Sequence, residues 1–103
     1  MKVITSPVKH FSGTVTLKDP LPYVTVVKFE QVIRSKEDID AGQKFLPVIL
    51  ESVEKWGIQN MPEGVTVETF PGTPRRAVYE LIAWLLNELT VIYKGNEEGD
   101  PNG

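Results

Sequence analysis

Few residues of this sequence belong to the types that carry out chemistry. It has no cysteine, which excludes disulfides, thiolate metal sites and cysteine nucleophiles. The single histidine, His10, follows Lys9 and has no second ligand at helical spacing, so neither a histidine metal site nor a Ser-His-Asp triad is indicated. Glu51 and Glu54 could imitate a catalytic carboxylate pair, but their spacing is more typical of a solvated helix face. We therefore expect a protein that is not an enzyme and holds no metal or cofactor.

The charged residues argue against nucleic acid as a partner. The net charge is −3, and no GxxxxGK[ST] or GxGxxG phosphate loop is present. Residues 1–36 carry six Lys or Arg and two acidic residues, whereas residues 37–103 carry five and twelve. Binding to a phosphate backbone needs a dense basic patch, which this pattern lacks. The asymmetry reflects either ordinary surface decoration or attraction between copies or toward a partner.

The elements that must position any site are organised around one long predicted helix, from Thr73 to Gly95. Thr73 can cap it, Pro74 suits its first position and Gly95 suits its end. Helical spacing gives two apolar stripes, one of Val78, Leu81, Leu85, Leu89 and Ile92 and the other of Ile82, Leu86 and Tyr93. A helix that is apolar around most of its circumference needs cover on more than one side, from its own chain or from a partner.

The surplus of apolar helix surface predicts contacts with other proteins and a homo-oligomer. Trp84 is the best candidate for an anchor in a partner if it faces away from the leucine stripe, which consists of Leu81, Leu85 and Leu89. Arg75 and Arg76 stand near the positive end of the helix dipole, where cations are not favoured, so they mark an interface or an anion contact, or are simply exposed. The candidate partner-binding residues are Trp84, Leu81, Leu85, Leu89, Trp56, Arg75 and Arg76.

The rest of the sequence predicts two more helices and a small β element. Residues 22–35 form a helix, with a strand over 23–29 as the alternative, because Pro22 suits a first turn and Val26, Phe29 and Ile33 fall on helical spacing. Residues 41–56 form a helix that kinks or restarts at Pro47 and ends at Gly57, with Asp38 or Asp40 as its cap. The clearest strand is 13–17, which can pair with a short strand at 65–69.

These elements amount to one mainly α (α+β) domain of about three helices with a short two-stranded β element near the N-terminus. It covers residues 1–95, with residues 1–12 as an edge strand or an arm. Residues 96–103 are polar and acidic and are expected to be a disordered tail. The N-terminus does not resemble a signal peptide, and the longest apolar run, LIAWLL, is too short to span a membrane. No membrane association is therefore expected.

Three segments in order, GTVTLKDPLPY, FLPVILESVEKWGIQNMPEG and ETFPGTPRRAVYELIAWLLNELTVIYKG, carry a resemblance to a known class. They resemble the tail assembly chaperones of long-tailed bacteriophages, which are small proteins typically encoded between the tail tube and tape measure proteins. The resemblance spans residues 11–94 and rests on structural motifs rather than catalytic ones. The strand-like GTVTL is a departure from a purely helical pattern.

The resemblance implies a largely helical, non-enzymatic protein that acts in the host cytoplasm. It would bind the tape measure protein, keep its hydrophobic helices soluble and recruit tail tube subunits around it. Some members are also made in a longer form by ribosomal frameshifting near the C-terminus. The alternative is a structural tail or connector protein that stays in the finished particle, and mass spectrometry of purified particles would distinguish the two.

Overall fold

The computed structural model describes residues 1–36 and 40–98, and within these ranges the chain forms three helices and a three-stranded antiparallel sheet. The prediction of about three helices with a small β element is confirmed in outline, but the sheet has three strands rather than two. In chain order the elements are β1 (Lys2–Thr5), β2 (Gly13–Leu17), α1 (Tyr23–Arg34), α2 (Ala41–Ser52), β3 (Val53–Ile58) and α3 (Arg75–Glu98).

The sheet places β2 between β1 and β3, with one face toward the helices. Ile4 pairs with Val15, and Val15 pairs with Trp56, so these three side chains share the inner face. Ile4 and Val15 are buried, whereas Val3 on the outer face is 66% exposed. The predicted strand at 13–17 and the edge strand within residues 1–12 are both confirmed.

The partner of β2 is not the segment predicted from the sequence. The predicted helix over 41–56 ends at Ser52, and the chain passes directly into β3. Thr16 pairs with Lys55 and Leu17 with Val53, which makes Glu54 the extra residue of a β-bulge. The bulge places Val53 and Trp56 on one face although they are three positions apart. Because a helix produces the same spacing, the sequence pattern was misleading here.

Residues 65–69, predicted as a strand, form a turn. The Thr66 N–H donates to Thr69 Oγ1 over 2.7 Å, and the Thr69 N–H donates to Thr66 Oγ1 over 3.2 Å. Threonine side chains that bond to nearby backbone compete with a sheet ladder, which explains why this alternating segment does not pair. Gly64, with a φ of 62°, reverses the chain just before the turn.

The bounds of α1 differ by one residue at each end from the prediction, whereas α2 begins as predicted and ends four residues earlier. The α1 helix is confirmed in place of the alternative strand, and its buried Phe29 packs against Phe45 of α2 and Tyr93 of α3. Asp40 caps α2 by accepting a hydrogen bond from the Gly42 N–H over 2.9 Å. Asp38, the other predicted cap, lies outside the described residues. The α2 helix continues through Pro47 without a restart.

The α3 helix begins later than predicted and extends further at its C-terminal end. It begins at Arg75 rather than Pro74, whose carbonyl accepts the Val78 N–H over 3.1 Å, and it continues past Gly95 to Glu98. The predicted terminator is therefore wrong, and residues 99–103 of the predicted tail lie outside the described part of the chain. The leucine stripe, Leu81, Leu85 and Leu89, is completely buried.

Candidate functional site

An open cleft of about 540 Å³ lies between the first half of α2, the loop before α3 and the first turns of α3. We call it the α2–α3 cleft. Its size is within the range of sites that accept a ligand or a partner's side chains. The lining residues are Asp40, Gly42, Gln43, Leu46, Val67, Phe70, Pro71, Gly72, Arg75, Val78, Tyr79 and Ile82.

The floor of the cleft is apolar and belongs to the protein core. Leu46 of α2 and Val78 and Ile82 of α3 are each less than 9% exposed. The two helices approach closely at Gly42, where an added Cβ would lie 3.3 Å from Ile82 Cδ1. A larger residue at this position would push against the Ile82 side chain. Glycine at position 42 therefore allows the start of α2 to lie close to α3.

The outer wall of the cleft is the turn around Thr66 and Thr69, which its own hydrogen bonds hold in place. Besides the two threonine contacts, Thr69 Oγ1 donates to the Gly64 carbonyl over 3.0 Å, and the Phe70 N–H donates to the Thr66 carbonyl over 2.8 Å. The Phe70 ring packs edge-on against Trp56, with centroids 6.3 Å apart. The turn thus anchors one apolar residue and leaves Val67, at its tip, 49% exposed beside the cleft.

A chain of hydrogen bonds forms the polar rim of the cleft. Arg75 Nε donates to Tyr79 Oη over 3.0 Å, and Tyr79 Oη donates to Asp40 Oδ2 over 3.2 Å. The Arg75 guanidinium also lies over the Tyr79 ring, 5.4 Å from its centroid. The hydrogen bond to Tyr79 raises the pKa of Arg75 above its usual value.

Metal-ligating side chains do not cluster at the rim of the cleft among the described residues. Across residues 1–36 and 40–98, no group of three or more His, Cys, Asp or Glu could hold a metal ion. His10 lies at another part of the chain, where its ring packs against Phe11 and its carbonyl accepts a hydrogen bond from Asn60. What the cleft offers is an apolar surface beside the cation of Arg75.

The structure separates the predicted partner-binding residues into three groups. Leu81, Leu85 and Leu89 are 0% exposed, so the chain's own core removes them from any partner surface in this fold. Trp84 and Trp56 are partly buried against the same core. Covered aromatic rings of this kind stabilise the fold, and neither tryptophan lines the cleft.

The two predicted arginines also have different environments. Arg75 lines the α2–α3 cleft. Arg76 does not line it, and its Nε lies 3.4 Å from Glu80 Oε1 one turn along the helix. An arginine bound to a glutamate on an exposed helix face is common and contributes little. Arg75 is therefore the one predicted site residue that the structure brings to the cleft.

Of the twelve residues that line the cleft, only Arg75 was in the predicted set, and the absent ones include Val67, Phe70 and Tyr79 of its outer wall and rim. Val67 was predicted to lie in a strand. Side chains alternate between the two faces of a strand, so exposure of Val67 would not have indicated a cleft. Tyr79 lies two positions before Leu81, off the leucine stripe, and this spacing was a usable sign that it points elsewhere. Phe70 gave no sequence signal, because its position depends on the turn that Thr66 and Thr69 form.

In comparisons with known proteins, no family model, no curated protein and no solved structure matches this chain. Among the described helices, none is long and apolar enough to cross a lipid bilayer. A function for the chain is therefore inferred from the cleft and from the residues around it.

Proposed function

We propose that this chain is a tail assembly chaperone of a long-tailed bacteriophage, working in the host cytoplasm without catalysis. It binds an apolar segment of the tape measure protein and keeps that segment soluble while tail tube subunits gather around it. The resemblance over residues 11–94 suggests the class. The observation that carries the proposal is the α2–α3 cleft, an open and mainly apolar surface whose walls are already in place.

The form of the cleft suits transient binding of a protein segment. Its floor is apolar but already largely buried, and the exposed Val67 at its edge adds apolar area that a client can cover. Burial of apolar surface contributes roughly 25 cal/mol per Å² before the costs of association are subtracted. A few side chains can thus give modest affinity, which a chaperone needs because it must release its client.

Solubility of the tape measure protein tests the proposal. The tape measure protein of the same genome is expressed alone and together with this chain, and its soluble fraction is measured after centrifugation. Wild type is expected to raise the soluble fraction, and Val67→Asp is expected to lose most of this effect because it puts a charge at the apolar cleft.

The matched control for that experiment is Val91→Asp. Val91 is 52% exposed, close to the 49% of Val67, but it lies on α3 away from the cleft. It should support the tape measure protein as well as wild type does. A wild-type chain that leaves the tape measure protein insoluble would overturn the proposal, and equal loss with both variants would overturn the role of the cleft.

Self-association is a second part of the proposal. On the α1 helix, Tyr23 is 80% exposed and Val24 is 61% exposed. Neighbouring large apolar side chains that are exposed in this way are typical of a surface that contacts another protein. Light scattering over a range of concentrations should show a mass that rises above that of the monomer. A constant monomer mass would contradict self-association and leave the cleft experiment unaffected.

The alternative, a structural tail or connector protein, predicts a different location at the end of assembly. A chaperone is absent from purified particles, whereas a structural component is present in fixed proportion to the tail tube protein. Mass spectrometry of purified particles therefore decides between them, and detection in fixed proportion would replace the chaperone proposal with the structural one.

A further inference from the structure

The α2–α3 cleft holds a cation whose hydrogen-bonding capacity is mostly unused. A guanidinium carries five N–H donors. Of the Arg75 nitrogens, only Nε has a hydrogen-bond partner among the residues that the structure describes, and that partner is Tyr79 Oη. The terminal nitrogens of Arg75 thus remain available at the cleft, while Nε is held by Tyr79.

Besides the hydrogen bond to Tyr79, the Asp40 carboxylate at the same rim adds to the raised pKa of Arg75. Asp40 accepts the Gly42 N–H at Oδ1 and the Tyr79 hydroxyl at Oδ2, so it is linked to Arg75 through Tyr79. None of the ion pairs between described residues joins Asp40 to Arg75. A carboxylate on an occupant of the cleft would therefore supply the direct ion pair that Arg75 lacks among the described residues.

The open form of the cleft favours a protein segment over a small molecule. Small-molecule sites bury most of their ligand's surface. Here Val67 is 49% exposed and Tyr79 is 40% exposed, so the cleft can cover one side of an occupant but cannot enclose it. No strand lines the cleft, which leaves no sheet edge for an extended peptide to join. The walls of the cleft are two helices and a turn, and a helix laid with its apolar face in such a groove is a recurring mode of peptide recognition.

We propose that the occupant is an amphipathic helix of a partner protein, with apolar side chains between Val67 and Ile82 and a carboxylate against the guanidinium of Arg75. This inference rests on the proposed function and names the chemistry of the partner segment. Arg75 and Ile82 are seven residues apart on α3, which is about 10.5 Å along the axis. On a partner helix that lies along α3, an acidic residue about two turns from an apolar residue has the same spacing. The acid then reaches Arg75 while the apolar residue contacts Ile82.

Model peptides separate the contribution of the carboxylate from that of the apolar anchor. The first is a fluorescent, alanine-rich helical peptide with two leucines one turn apart and a glutamate two turns from the first leucine. The second has glutamine in place of the glutamate. In the third the glutamate stands two positions nearer the leucines, which turns it about 160° around the helix, because each residue advances the chain by about 100°. Affinity for the full chain is measured by fluorescence anisotropy at low and high salt.

The first peptide is expected to bind about fivefold more tightly than the other two at low salt, as one partly exposed charge pair allows, and the difference should shrink at high salt. Arg75→Gln should remove the difference, whereas Arg76→Gln, the matched control, should preserve it. A double-mutant cycle between Arg75→Gln and the glutamate-to-glutamine exchange measures the coupling directly.

The outcomes distinguish this inference from the proposed function. Equal affinities of the glutamate and glutamine peptides for wild type, or an equal effect of the two arginine variants, would overturn the carboxylate contact. Loss of binding of both peptides in Val67→Asp would still support apolar docking in that case. Failure of every peptide to bind would overturn the helix as occupant, while solubility of the tape measure protein continues to judge the chaperone itself.

Discussion

Leu81, Leu85 and Leu89 in the middle of α3 are completely buried, whereas Arg75 and Tyr79 in its first turns lie open to the cleft. Both regions belong to one continuous helix. The middle is covered by the sheet and the other helices of the same chain. The beginning is covered on one side only, by the start of α2 and by the turn that carries Val67.

This contrast shows that an apolar pattern predicts burial without indicating what provides the cover. The leucine stripe suggested a surface for partners because the amount of apolar helix seemed to exceed what a short chain could bury. In the structure the leucines belong to one core cluster with residues of the sheet, α1 and α2, so the chain's own elements supply that cover. The surface left for partners is smaller and depends on residues outside the stripe.

Leu85→Asp should have the largest effect and tests the buried half of the comparison. An aspartate at a 0% exposed site loses the packing of leucine and buries a charge without a partner. The expected cost is about 3–5 kcal/mol, a large part of the stability of a small domain. Thermal unfolding followed by circular dichroism measures it. Asn87→Asp adds the same charge on the exposed face of α3 and should change little.

Thr69→Val should have an intermediate effect, because it removes the hydroxyl that holds the cleft wall. The variant loses the contacts to the Thr66 N–H and the Gly64 carbonyl, at a cost of about 1 kcal/mol. Limited proteolysis should cut faster within residues 61–72 than in wild type. Thr5→Val, an exposed strand threonine, is the control and should not change the cutting rate. Equal rates in Thr69→Val and wild type would show that these hydrogen bonds do not organise the wall.

Val67→Asp should have the smallest effect on stability, within about 0.5 kcal/mol, because nearly half of this side chain is already exposed. Its value lies in the contrast with Leu85→Asp: the same charge is introduced at the cleft edge rather than in the core. Chemical denaturation measures the difference. A destabilisation comparable to that of Leu85→Asp would mean that Val67 belongs to the core, and the division of α3 and its surroundings into two regions would fail.

Much of the fold could be predicted where local signals agree with the final packing. The positions of α1, α2 and α3 follow from periodicity, and β2 follows from its alternating β-branched residues. The failures have different causes. Glu54 bulges β3 and gives Val53 and Trp56 a helical spacing, and this depends on pairing with β2, which the local pattern does not contain. Thr66 and Thr69 bend an alternating segment into a turn by hydrogen bonds within that segment, which the β-branched alternation concealed.

The candidate site was less predictable than the fold because it is assembled from three segments. Arg75 was identified from its unfavourable place at the start of a helix. Its neighbours Asp40, Val67 and Tyr79 gave no joint signal, because they are brought together only when α2 packs against α3 and the turn closes over both. Residues that are far apart in sequence and individually unremarkable in type form a site only through tertiary structure.

The pairing of β2 with β3 also affects how the chain folds. The segment between these strands runs from residue 18 to residue 52 and includes both α1 and α2. By the logarithmic dependence on loop length, closing it costs about 3 kcal/mol of chain entropy, against about 2 kcal/mol for the short connection from β1 to β2. Completion of the sheet is thus the kinetically demanding step, and variants that weaken the contact of β2 with β3 should slow refolding more than variants in β1 do.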